Sequence, residues 1–147
     1  MRTENYSPAL QLTSLLPSQE DIKTVFDMMT NEDGNDRCAT SWKNAVHRLT
    51  AGIVANPGNS GLWYDLACAF GLWDMMQWRY LFVAHRIAPE NSGYMEALAW
   101  AFHRMGDRNQ AIDLVIKAIA TATREEDRLS LIESRMRMEE QLDTTIN

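Results

Sequence analysis

Apolar residues recur along the chain at the spacing of one side of an α-helix. In the clearest set, Trp63, Leu66, Ala67 and Phe70, the side chains fall on a single face. Matching sets at the same spacing are Met95, Leu98, Ala99 and Phe102; Leu129, Ile132 and Met136; and, earlier, Ile22, Val25 and Met29. The steps between successive sets are 41, 32 and 34 residues. This recurrence predicts helical units that stack on their neighbours to bury a shared core.

Turn signals between the apolar sets predict seven helices. We expect them over about residues 18–30, 40–55, 60–72, 74–87, 92–105, 109–122 and 124–142, with a polar loop between the first two. Pro57 and Pro89 follow the second and fourth helices, which they cannot continue. Ser18 with Asp21 is predicted to cap the first helix, and Gly106 to close the fifth in a left-handed conformation.

This organisation resembles the tetratricopeptide repeat family over about residues 18–142. The second helix of that repeat carries Ala-x-x-x-Phe and is followed by Pro. Ala45, Leu49 and Pro57 follow the pattern with Leu in place of Phe, whereas Thr123 stands where Pro would end the third unit. The resemblance implies an all-α, right-handed array of antiparallel helix pairs with a C-terminal capping helix. The alternative is an ordinary amphipathic helical bundle, since such spacing occurs in any amphipathic helix.

The predicted domain organisation follows from the same units. Residues 1–17 form an N-terminal tail, and residues 18–147 form a single repeat domain. Its units cover about residues 18–57, 60–89 and 92–123, and the last helix, 124–142, is the cap. Mixed charges around a narrow apolar stripe in that helix are typical of the solvated end that repeat arrays require.

Composition narrows the kinds of partner. The net charge of −6 argues against binding to nucleic acid or to an anionic membrane surface. No stretch approaches the roughly 20 apolar residues that a membrane span requires, and the N-terminus lacks the apolar centre of a signal peptide. The two cysteines are too few for a disulfide framework and suit a reducing compartment. We therefore expect a cytoplasmic protein without membrane insertion.

The sequence contains no motif for catalysis, cofactor binding or metal binding. The histidines, His47, His85 and His103, lie far apart and lack the spacing of metal ligands. There is no Cys-x-x-Cys pair, no glycine-rich phosphate loop and no recognisable nucleophile motif. The prediction is a protein that is not an enzyme and uses no cofactor.

The family resemblance implies a binding groove lined by the first helix of each pair. The predicted partner contacts are Tyr64, Cys68, Leu72, Glu96, Trp100, His103 and Arg104. Relatives that clamp a C-terminal carboxylate use Lys and Asn at the positions of Tyr64 and Cys68, so this mode is not expected here. An aromatic groove with few charges suits an extended or helical apolar segment of a partner protein. Alternatively, Tyr64 and Trp100 fill gaps between helices.

The fourth predicted helix carries apolar residues on every side. A helix of this kind is covered all round, although the second helix of a stacked pair normally has one solvated side. Met75, Trp78 and Phe82 are therefore predicted to form a self-association surface or to lie under the N-terminal tail. A homodimer is favoured because the tail has few apolar residues and is interrupted by proline.

Two functional classes follow from these expectations. The first is a small cytoplasmic chaperone or adaptor that shelters an apolar segment of a partner. Size, acidity, three units and a leading tail resemble the tetratricopeptide-type chaperones of bacterial type III secretion. The second class is a structural or assembly scaffold subunit of a fixed multiprotein complex. An enzyme with a scattered active site is a weaker third possibility.

Overall fold

The computed structural model describes residues 14–33, 36–71 and 73–146, and these are all helix or short connections without any strand. The described helices are α1 Gln19–Asp33, α2 Asp36–Ala55, α3 Ser60–Ala69, α4 Asp74–Ile87, α5 Ser92–Arg104, α6 Arg108–Thr121 and α7 Glu125–Ile146. Among helices that follow one another in sequence, α1 packs with α2, α2 with α3, α5 with α6 and α6 with α7. The all-α class and the seven helices are therefore confirmed for this part of the chain.

The largest differences from the predicted bounds lie in polar segments. α1 continues to Asp33 and α2 begins at Asp36, so both helices extend into the segment predicted as a loop. Asn, Asp and Glu lower helix propensity by only a fraction of a kcal/mol each, so a short polar run does not end a helix by itself. α3 ends earlier than predicted, at Ala69. The N–H of Phe70 is shared between the carbonyls of Leu66 and Ala67, a bifurcated bond that is common at helix ends.

Two predicted helix ends are confirmed. At the start of α1, the N–H of Ser18 donates to Oδ2 of Asp21 and the N–H of Asp21 donates to Oγ of Ser18, both over 3.0 Å. These reciprocal bonds satisfy donors that the first turn leaves open. After α5, Gly106 has φ 88°, and the N–H of Asp107 reaches back to the carbonyl of Phe102 over 2.9 Å. A residue without Cβ is favoured in that left-handed conformation.

The chain divides into two compact units, residues 1–79 and 80–147, and the boundary falls within α4. That residues 18–147 form one continuous array stays a prediction. The predicted tail lies largely outside the described residues, which begin at Ser14.

In the first unit, α2 packs against both α1 and α3. Trp63 of α3 is fully buried, and its Nε1 donates to the carbonyl of Pro57 over 2.9 Å. Trp42 of α2 donates from Nε1 to the carbonyl of Ala69 over 2.7 Å, and its ring meets that of Phe70 edge-on. The first apolar set read from the sequence is therefore the centre of this unit, held by indole hydrogen bonds as well as by packing.

In the second unit, α6 packs against α5 and α7 packs against both. Met95 of α5 meets Ala118 and Leu131 in one core cluster. Ala99 of α5 meets Val115 of α6 in another, which also contains Met138 of α7. Small residues on α5 and α6 let the two helices pack closely.

The predicted burial is wrong for α7. Leu129, Ile132 and Met136 were expected to face neighbouring helices, but they are 58%, 38% and 56% exposed. The helix instead buries the opposite side, which carries Leu131 and Met138. The buried residues Leu131, Ser134 and Met138 have the same spacing as the exposed set, so the period alone does not decide which side faces the core.

Candidate functional site

The second unit contains an apolar cleft of about 330 Å³ between the C-terminal half of α4, α5 and α6. We call it the Phe82 cleft. Its lining residues are Phe82, His85, Leu98, Phe102, Gln110, Asp113, Leu114 and Lys117. Each helix contributes residues about one turn apart, which is the spacing that places side chains on one side of a helix.

The floor and walls of the Phe82 cleft are apolar. Leu98 is only 2% exposed, whereas Phe82, Phe102 and Leu114 are half-buried. Phe102 and Leu114 also pack against the α5–α6 core. Because these walls rest on the packed core, the cleft is held open by the fold of the unit.

The opening of the Phe82 cleft is polar. Asp113 and Lys117 are exposed on α6. Gln110 is fixed at the start of that helix, since its Nε2 donates to Oδ2 of Asp107 over 2.8 Å. The guanidinium carbon of Arg86 lies 5.8 Å from the centre of the Phe82 ring, a cation–π distance. A few polar groups around an apolar floor are typical of sites that bind and orient an apolar ligand.

Of the titratable residues that line the cleft, His85 is the least exposed. Its Nδ1 is buried and has no hydrogen-bond partner among the described residues. Burial lowers the pKa of His85 below its usual value, and the nearby charges of Lys117 and Arg86 lower it further. Each of these effects disfavours the charged imidazolium. The side chain therefore presents a neutral ring to the cleft at neutral pH.

The lowered pKa predicts a pH dependence of stability. The unfolded chain binds the His85 proton more readily than the folded chain, so the free energy of unfolding falls as pH drops through about 6.5. We expect His85→Gln to reduce the slope of unfolding free energy against pH between neutral and mildly acidic conditions. Urea unfolding at a series of pH values measures this slope. His47→Gln, at an exposed position of α2, is the control and should keep it. Equal slopes for the wild type and His85→Gln would contradict a lowered pKa of His85 in the folded protein.

Two residues of the predicted groove, Glu96 and Trp100, contact α7. Oγ of Ser134 donates to Oε2 of Glu96 over 2.6 Å and accepts from Nε1 of Trp100 over 3.4 Å. Ser134 is buried, and this pair of bonds satisfies its hydroxyl. Glu96 also borders a polar pocket of about 250 Å³, together with Asp127 of α7. Trp100 and Glu96 therefore help to join α5 to α7, and their contact with a partner stays a prediction.

The remaining predicted groove residues are spread over both units. His103 is half-buried, and its ring lies 5.4 Å from that of Trp100 in an edge-on arrangement. Arg104 is exposed at the end of α5. In the first unit, Tyr64 is half-buried and Cys68 is exposed on α3. Leu72 lies outside the described residues. The structure thus groups Glu96, Trp100 and His103 on α5.

The predicted self-association surface lies on α4. Met75 is 58% exposed, whereas Trp78 and Phe82 are half-buried. Most other apolar residues of this helix, including Tyr80 and Leu81, are buried. Self-association stays a prediction, and its residue Phe82 also lines the cleft.

The sequence does not predict the Phe82 cleft, and no residue of the predicted groove lines it. Phe82 is predicted for self-association, and Leu98 and Phe102 belong to an apolar set predicted to face neighbouring helices. Gln110, Asp113 and Lys117 were missed, because polar residues on an amphipathic helix usually face solvent. The available signal was the spacing of Gln110, Leu114 and Lys117 on one side of α6, which is weak without knowledge of the neighbouring helices.

The described residues contain no group of three or more His, Cys, Asp or Glu side chains arranged to hold a metal ion. None of the helices in residues 14–33, 36–71 and 73–146 is both long and apolar enough to cross a membrane.

Comparison with known proteins adds no identification. No protein-family model matches the chain, and no curated protein or solved structure matches it significantly.

Proposed function

We propose that the protein is a non-enzymatic, protein-binding helical-repeat protein of the tetratricopeptide type, with its helix pairs in a right-handed array. It acts as a small cytoplasmic chaperone or adaptor that shelters an apolar segment of a partner. Its size, its acidity and its three predicted repeat units favour one particular form, a chaperone of a bacterial secretion system such as type III secretion.

The observation that carries this proposal is the Phe82 cleft. Its apolar floor and walls accept one or two apolar side chains, and its polar opening, with Asp113 and Lys117, orients the segment that bears them. Small apolar pockets that bind alternate side chains are a recurring way to recognise extended or helical peptides. The neutral ring of His85 keeps the cleft suited to apolar rather than anionic groups.

Self-association would compete with this binding. Phe82 belongs both to the predicted homodimer surface, with Met75 and Trp78, and to the cleft. If both surfaces are used, partner binding should convert a homodimer into a one-to-one complex.

Site-specific photo-crosslinking in the native host tests the proposal. A photoreactive phenylalanine analogue is placed at Asp113, at the opening of the cleft, or at Ala120, an exposed position of the same helix outside the lining. We expect a partner protein to be captured from Asp113 and not from Ala120. Capture with equal yield from both positions, or from neither, would reject the cleft as the binding site.

The alternative function, a scaffold subunit of a fixed complex, is favoured by one feature. Leu129, Ile132 and Met136 leave an apolar stripe exposed on α7, as expected of a subunit that is normally covered by another protein. Purification separates the two functions, because a chaperone should remain free of aggregation without a partner and should exchange clients. An obligate subunit should aggregate without its partner.

A further inference from the structure

The exposed apolar stripe of α7 has the same residue spacing as an apolar stripe that is buried on α5 of the same unit. Met95 and Leu98 on α5 have the same spacing as Leu129 and Ile132 on α7. The α5 residues are 1% and 2% exposed, whereas the α7 residues are 58% and 38% exposed. The apolar spacing that is buried on α5 is therefore also present on α7, where none of the described helices covers it.

The helix that covers α5 shows what kind of segment fits this pattern. Leu131 and Met138 of α7 share core clusters with residues of α5 and α6. α6 packs on α5 through Ala111, Val115 and Ala118, all fully buried. These residues recur at intervals of four and three, so they form one narrow side of small side chains. An occupant of the α7 stripe should likewise be an amphipathic helix whose contact side carries small apolar residues.

The two stripes differ in polarity at one position, and this difference indicates the charge of the occupant. Where α5 has Ala99, fully buried against α6, α7 has Glu133 in the corresponding place. Glu133 is exposed, and its carboxylate pairs with Arg137 over 2.6 Å. An exposed ion pair of this kind contributes little to stability. A cation of an approaching helix can therefore replace Arg137 as the partner of Glu133.

The surroundings of the stripe are also acidic. Glu125 lies four residues before Leu129, and Glu140 lies four residues after Met136, so both fall on the same side as the stripe. Glu125 has a long contact of 3.5 Å with Arg128, which also donates to the carbonyl of Ala122. Along residues 124–140 six carboxylates outnumber four guanidinium groups. A basic partner complements this face, and a second α7 would oppose carboxylate to carboxylate.

We propose that the stripe of Leu129, Ile132 and Met136 is a docking surface for a basic amphipathic helix of another protein. That helix covers the stripe with small apolar residues at intervals of four and three, and it places a Lys or Arg opposite Glu133. The proposal does not depend on the Phe82 cleft, because neither α4 nor α6 contributes to this surface.

A peptide taken from the protein itself tests this docking surface. The peptide covers Asp107–Thr123, which includes all of α6, and carries Ala111→Lys so that a cation meets Glu133. The full protein, labelled with ¹⁵N, is titrated with it and followed by two-dimensional NMR. We expect amide shifts centred on residues 125–140. Binding at low salt should be at least about tenfold tighter than that of the same peptide with Ala111→Glu.

Two protein variants complete the test. Ile132→Glu should abolish binding, whereas Ser130→Glu, which adds the same charge at an exposed position off the stripe, should preserve it. Circular dichroism checks that each variant is folded, and Met136→Glu, at a more exposed position, replaces Ile132→Glu if that variant is not. Equal affinity for both peptides, shifts outside α7 or no binding at millimolar concentration would overturn the proposal. A wild-type dimer that Ile132→Glu makes monomeric would overturn it in favour of a second copy.

Discussion

Leu98→Ala is expected to lower the free energy of unfolding by about 2–5 kcal/mol. Leu98 is 2% exposed on α5, and it forms both part of the α5–α6 packing and the floor of the Phe82 cleft. Truncation removes the transfer free energy of the lost atoms and leaves a cavity that the surrounding helices fill only in part. Urea unfolding followed by far-ultraviolet circular dichroism measures the loss.

Leu129→Ala is the matched control for Leu98→Ala. It removes the same atoms from the corresponding apolar stripe, but Leu129 is 58% exposed on α7. We expect its effect to stay within about 0.5 kcal/mol, as for most surface substitutions. Similar losses for the two variants would show that α7 is covered in the isolated protein, contrary to the described structure.

Trp63→Ala is expected to lower the free energy of unfolding by about 3–5 kcal/mol. The Trp63 side chain is fully buried in the first unit, and its Nε1 hydrogen bond to Pro57 is lost with the ring. The substitution therefore creates a large cavity and leaves a carbonyl without its donor. Denaturant unfolding followed by circular dichroism measures this loss of stability. Tryptophan fluorescence alone is unsuitable, because the substitution removes one of the fluorescent side chains.

Trp63→Phe separates packing from hydrogen bonding at this position. It keeps most of the buried ring but removes the donor to Pro57, so the loss should be smaller than that of Trp63→Ala. The hydrogen-bond part alone is about 1 kcal/mol. If Trp63→Ala cost less than about 1 kcal/mol, Trp63 would not be the centre of the first unit.

The helices could be predicted from the sequence because their apolar residues recur with the period of a helix and their ends carry strong signals. The bounds of α4 were predicted to the residue. Gly106 and the Ser18–Asp21 pair marked ends whose hydrogen bonds the structure contains. Where the only signal was polarity, as in Asn31–Asp33, the boundary was misplaced, because polar residues continue a helix at small cost.

The buried side of α7 could not be predicted from its sequence. Two stripes with the same spacing compete on that helix, and the one that is buried contains the polar residue Ser134. A polar residue is disfavoured in a core unless it is hydrogen-bonded. Glu96 and Trp100 supply those bonds from α5. This arrangement depends on tertiary packing and not on the local pattern.

The Phe82 cleft was not predicted from the sequence, for a similar reason. Phe82 was assigned to self-association, and Leu98 and Phe102 were assigned to helix packing. The polar residues of α6 at the opening lie beside them only in the folded unit. The pKa of His85 likewise depends on burial and on Lys117, which lies 32 positions further along the chain.

The Phe82 cleft is proposed to bind an apolar segment of a partner. The most direct test of this binding is isothermal titration of the intact protein with the segment captured from Asp113. Phe82→Ala should weaken binding by about 2 kcal/mol or more, because a half-buried aromatic wall is expected to be an energetic anchor. Val54→Ala, at an exposed apolar position of the first unit, should leave the affinity unchanged. Unchanged affinity for a folded Phe82→Ala variant would contradict the claim.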